Sequence, residues 1–197
     1  MTRVAIPPWN SIGVVPPVSA TSPTGAERSP YEVSLSELVL RFGTTPVRRQ
    51  ILDGFLRYRG RLHSAGLTTG FQWLDGSFLE NIEIIESRSP NDLDVVTFFS
   101  LAPGDTQLAA QSRAPDAFPR SSPDRAVFKA TFFVDPYLVN LGATSVRLVQ
   151  SSTYWYSLWS HRRDASWKGY LQVDLDPTED AGAAIHLSTS SSLGAAP

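Results

Sequence analysis

The apolar positions of this chain change period along its length. Leu35, Leu38, Val39 and Phe42 recur every three to four residues, the spacing of a helix with one buried face. Ser34 and Glu37 form a capping box at its start, and Gly43 stops it. Thr45-Pro46 opens a second helix, with Thr as N-cap and Pro in the first turn. Val47, Ile51, Phe55, Tyr58 and Leu62 mark its apolar face, and Gly66 is its expected C-cap. Arg48, Arg49, Arg57, Arg59 and Arg61 fall mostly on the other faces and read as a solvated surface. Residues 71–74 then form a strand ending in Asp75-Gly76-Ser77, and residues 78–85 a short helix. Residues 92–99 alternate at first and then turn apolar on both faces, as a buried strand does. Residues 126–139 read as a third strand kinked at Pro136. Residues 146–161 read as a strand running into an aromatic helix, and residues 167–175 as a further strand.

Three segments lack such periodicity. Residues 1–33 carry Pro7-Pro8, Pro16-Pro17, Pro23 and Pro30, which exclude a regular helix. Ile6, Trp9, Ile12, Val14, Val15 and Tyr31 are too apolar for a free tail, so an extended arm lying on the domain is expected. Residues 102–124 read as a long surface loop with a single helical turn, and residues 177–197 as a flexible tail. The domain proper is then 34–176. Its order of helices and strands predicts an α/β (α+β) fold, a mixed sheet with flanking helices.

Composition narrows the chemistry. The 197 residues are 42% hydrophobic and 18% charged with a net charge of −2, so neither nucleic acid nor an acidic membrane is favoured by bulk charge. The absence of cysteine excludes disulfides, thiolate nucleophiles and Cys-ligated zinc, and the three histidines are scattered. No apolar run approaches the length of a membrane span, and the start MTRVAIPPWN has no signal-peptide core; the expectation is a cytoplasmic protein.

The residues that point to chemistry are Gly76-Ser77, Asp92 and Asp94. Side chains two apart on a strand share a face, so Asp92 and Asp94 project side by side. Two carboxylates that close repel unless one holds a proton or both bind a cation. Oxygen-only ligands suit Mg²⁺ or Mn²⁺ together with substrate phosphates. Gly76-Ser77 adds a backbone that can approach a phosphate closely and a hydroxyl donor. The cluster His161-Arg162-Arg163 with Lys168 reads either as a phosphate-binding set or as a solvated turn. Trp155, Trp159 and Trp167 read as core.

Gly-Ser, a gap, then Asp-x-Asp flanked by apolar residues resembles the signature of the DNA polymerase β-like nucleotidyltransferase superfamily, over about residues 45–140. The resemblance implies a third carboxylate from a later strand, and Asp135 in Phe132-Phe133-Val134-Asp135-Pro136 is the matching position. It further implies two Mg²⁺ ions held by Asp92, Asp94 and Asp135. The implied reaction is transfer of a nucleoside monophosphate from a nucleoside triphosphate to an acceptor hydroxyl on a protein, an RNA or a small molecule. The alternative is a catalytically degenerate module of the same fold that binds nucleotide or a protein partner. A hydrolase built on Ser77 is disfavoured, because the flanking glycines of a nucleophile elbow are missing.

Overall fold

A computed structural model describes residues 4–192. The sheet has five strands, β1 (Tyr31–Glu32), β2 (Thr69–Asp75), β3 (Leu93–Ser100), β4 (Val134–Asn140) and β5 (Leu171–Asp174), in the order β1-β5-β2-β3-β4. Strand β2 runs antiparallel to both β3 and β5, while β3–β4 and β1–β5 are parallel pairs. Helices flank it, so the chain is an α/β protein with a mixed open sheet, the class its pattern predicts. No helix among the described residues is long and apolar enough to cross a membrane.

Helix α1 (Leu35–Phe42) forms with both halves of the Ser34–Glu37 capping box, and it buries Leu35, Leu38, Val39 and Phe42. Helix α2 (Pro46–Ser64) starts at Thr45, whose hydroxyl accepts from the Arg48 N–H. Its arginine face is not all solvated, however: Arg48 and Arg59 are 0% exposed. A guanidinium taken out of water needs its N–H groups paired, and both have found partners. Arg48 donates at 2.7 Å to the carboxylate of Glu83 on the one-turn helix α3 (Ile82–Ile85), and to the Phe78 and Glu80 carbonyls. Arg59 donates to Asp180, to Gln72 Oε1 at 2.7 Å and to the carbonyls of Asp174 and Asp176. Both arginines are therefore internal ties, Arg48 between α2 and residues 78–83, Arg59 between α2, β2 and residues 174–180. Periodicity shows where a side chain starts, and only the fold shows where a long one ends.

Four other expectations are corrected. Within 102–124, Thr106 caps a helix, α4 (Gln107–Arg113), because Leu108, Ala109 and Ala110 are good helix formers behind a hydroxyl cap. Residues 126–132 are not strand. They belong to helix α5 (Ser122–Phe132), which starts on a Ser121–Asp124 capping box and buries Phe128 and Phe132 one turn apart. Phe133, with φ of 53°, ends that helix in the left-handed region and hands the chain to β4. Helix α6 (Ser145–Trp159) is helical from its start; it buries Trp155 and Trp159, whereas Trp167 is exposed. Finally, residues 180–192 of the expected flexible tail form helix α7 (Asp180–Ser192). Asp180 takes the Arg59 guanidinium, Ala183 and Leu187 are buried, and the Glu179 carboxylate accepts from the Leu35 N–H at 2.8 Å. Residues 177–179 form a 3-10 turn ahead of α7, while residues 193–197 of that tail and residues 1–3 of the arm lie outside the described residues.

The proline-rich segment lies on the domain. Val14 and Val15 are buried, Trp9 packs edge-on to Phe42, and the Trp9 indole donates to the Leu79 carbonyl at 2.7 Å. Helix α2 also crosses close to α5. A Cβ at Gly54 would run into the Phe132 carbonyl. Gly54→Ala therefore forces backbone to move at a helix crossing, and denaturant melts should show a loss of about 2–3 kcal/mol. An unchanged midpoint would mean that the crossing is loose.

Candidate functional site

The register of the three central strands builds the site. Asp75 at the end of β2 pairs with Asp94 on β3, and Asp94 pairs with Asp135 on β4. Residues directly opposite in a sheet point to the same face. Three carboxylates thus stand in a row across β2, β3 and β4, on the face opposite the one that Arg59 reaches through Gln72. Asp92, two residues before Asp94, joins them. Helix α6 covers the next part of this face, with the Trp155 and Tyr137 rings tilted against each other, centroids 4.5 Å apart. Between the two lies a cleft of about 730 Å³ that all of Gly76, Ser77, Asp92, Asp94, Asp135, Arg162, Arg163 and Lys168 line. The sequence-derived candidates, 92 residues apart at their extremes from Gly76 to Lys168, meet in one place.

Gly76 earns its position by conformation. Its φ is 90°, and a Cβ would run into the Asp94 carboxylate. Ser77 opens the single 3-10 turn Ser77–Leu79 that follows. Its hydroxyl has no protein partner among the described residues.

The charges divide unequally. Asp92 and Asp135 share one cation: Lys129 Nζ lies 2.7 Å from Asp92 Oδ2 and 3.0 Å from Asp135 Oδ2. Arg125, one turn earlier on α5, takes Asp135 Oδ1 at 2.8 Å. Burial opposes the charge on Lys129, yet its hydrogen bonds to Asp92 and Asp135 hold it above the ordinary lysine range. Asp75 sits at the floor with Lys168 Nζ 3.0 Å away, and the same ammonium reaches Glu80 Oε1 at 3.1 Å. Burial pushes Asp75 up to about 6 in spite of that lysine. Asp94 is the carboxylate of the row left with no cation at ion-pair distance among the described residues. Burial first, then the charges of Asp75, Asp92 and Asp135, push it up to about 7.

The basic cluster is less free than its sequence suggests. Lys168 is 6% exposed and its ammonium is spent on Asp75 and Glu80. Arg162 is held by Glu80, Glu86 and Asp164 at 2.9–3.3 Å. Arg163 is exposed at the cleft with no partner among the described residues.

The profile of one protein family matches residues 7–174. The chain belongs to DUF6932, a family of unknown function. No curated protein and no solved structure matches it. In this DUF6932 member the matched region covers all five strands and the whole cleft, and leaves out α7.

Sequence reasoning reads Asp75 as a turn residue supporting Gly76 and misses Glu80, Arg125 and Lys129. The signal for the last two was present: Ser121-Ser122-Pro123-Asp124 is a helix start, and it places Arg125 and Lys129 one turn apart on the same helix face. Asp-Gly marks Asp75 only as a turn and nothing local marks Glu80; their roles arise from pairing with residue 94 and residue 168.

Proposed function

We propose that this DUF6932 chain is a metal-dependent nucleotidyltransferase that moves a nucleoside monophosphate from a nucleoside triphosphate to an acceptor hydroxyl. The observation that carries the reading is the unpartnered Asp94 carboxylate in a row with Asp75 and Asp135, beside Gly76-Ser77. Among the described residues no three or more acidic or histidine side chains already enclose a metal-sized point. The donor chemistry nonetheless suits a hard cation: the candidates are oxygens only, Gly76 leaves room beside Asp94, and an ammonium already sits between Asp92 and Asp135 as a cation would. Asp94 and Asp92 would hold Mg²⁺ or Mn²⁺, with Asp135 beside them, and the ion supplies charge neutralisation for the phosphates when bound. The Gly76 backbone, the Ser77 hydroxyl and Arg163 face the cleft and would orient the phosphates. Tyr137 and Trp155 offer an aromatic wall for a base.

The same ammonium favours a second reading, a non-catalytic module whose carboxylates are permanently neutralised by Lys129. One experiment separates the two. Each of the four nucleoside triphosphates is incubated with the protein and Mg²⁺ or EDTA, and calorimetric binding and pyrophosphate release are followed. The enzyme binds one or more of them only with the metal and releases pyrophosphate when an acceptor is supplied from denatured protein, RNA or a small-molecule pool. Binding without release across those acceptors supports the module, and no binding at all removes the nucleotide from both readings.

A further inference from the structure

We infer that this site takes one divalent cation, held by Asp94 and Asp92, and that the Lys129 ammonium stands where a second would be. The inference rests on the metal reading proposed above. An ion bridging Asp92 and Asp135 would need oxygens of both at about 2.0–2.1 Å. The space between them is filled by Lys129 Nζ, at 2.7 Å and 3.0 Å from one oxygen of each. A dication and an ammonium cannot share that point, sterically or electrostatically. Asp135 has no oxygen left to give: Oδ2 is on Lys129 and Oδ1 is on Arg125 at 2.8 Å. Asp92 engages Lys129 through Oδ2 and keeps its other oxygen. Asp94, two residues along on the same face, keeps both.

Lys129 is placed for this by its element rather than by chance of rotamer. Arg125 and Lys129 are one turn apart on α5, and the left-handed Phe133 turns the chain so that Asp135 comes back beneath them. Asp135 is then a positioning residue. It seats two cationic side chains and, through Lys129, fixes Asp92. The site thus carries one built-in positive charge and one exchangeable one.

The test counts bound Mn²⁺. The full chain is titrated with Mn²⁺ alone at pH 8, the free ion is followed by electron paramagnetic resonance, and the wild type is compared with Lys129→Met, Lys129→Arg and Asp135→Asn. Circular dichroism checks that each variant is folded. One ion per chain is expected in the wild type and in Lys129→Arg. Lys129→Met should take two, with the signal broadened by the nearby spins. Asp135→Asn should still bind one ion, with affinity changed by less than about tenfold, or about 1.4 kcal/mol. Two ions in the wild type would overturn the inference while leaving the metal reading intact. One ion in a folded Lys129→Met would overturn the role given to Lys129, and a larger loss in Asp135→Asn would restore Asp135 as a ligand. No bound ion in the wild type would sink the inference and the metal reading together.

Discussion

Asp94→Asn should abolish the proposed nucleotidyl transfer and, in the absence of divalent cations, make the protein more stable. The activity loss is expected at about a thousandfold or more, since a misplaced Lewis acid is worth several kcal/mol of transition-state stabilisation. The stability gain follows from the pKa. In the fold, burial and three neighbouring carboxylates raise Asp94 to about 7 from 3.8. The unfolded chain therefore releases this proton near pH 4, while the folded chain keeps it until about pH 7. Linkage gives the sign: stability is full below the unfolded value and falls as pH rises through that window. At pH 8 the asparagine variant escapes the penalty and should gain on the order of 2–4 kcal/mol, an advantage that vanishes at pH 4. Asp75, raised to about 6, leaves the variant with a residual slope of the same sign. Saturating Mg²⁺ should reverse the order at pH 8, because only the wild type gains binding energy. Urea melts at pH 4, 6 and 8 with and without Mg²⁺ read all of this. Parallel pH profiles for the two proteins would mean that Asp94 is solvated, and the site would lose the feature that calls for a cation.

The second large effect lies far from the cleft. Arg59→Met should cost about 3–5 kcal/mol, the usual penalty for removing one partner of a buried ionic network. For a chain of this size that lowers the melting temperature by roughly 10 °C. Arg59 is completely buried, and four groups depend on it: Asp180, Gln72 and the carbonyls of Asp174 and Asp176. Methionine fills the space of the stem but pairs with none of them. Helix α7 should loosen first, because Asp180 is its first residue and Ala183 and Leu187 are its main buried contacts. Hydrogen exchange of residues 180–189 relative to β3 checks the order of events. Uniform loosening would show instead that α7 and the sheet unfold as one unit. If the protein loses less than about 1 kcal/mol, water replaces the guanidinium and the network is dispensable.

How much of this was legible beforehand depends on the range of the signal. Helices α1 and α2 were read with their caps, since Ser34-Glu37 and Thr45-Pro46 act within one turn. Strands β2 and β3 were read from period and composition. Residues 126–132 were misread because Val127, Phe128, Ala130, Thr131 and Phe132 suit a strand or a helix, and the cap at Ser121 decides between them. The α7 segment was misread because its small and polar residues carry little helical signal of their own. What stabilises it is Arg59, reaching from 121 residues earlier in the chain.

The mixed α/β class, the first two helices, the two central strands and the candidates Gly76, Ser77, Asp92 and Asp94 are legible from the residues alone, because each rests on spacing within a few residues. Which charges meet is settled by folding. Strand register set Asp75 and Asp135 on either side of Asp94, and the turn at Phe133 brought Lys129 onto Asp92 and Asp135. Burial consumed Lys168 and Arg59 in internal pairs and left Asp94 without one. Charge interactions depend on distance and on exclusion of water, and neither exists until the chain is folded.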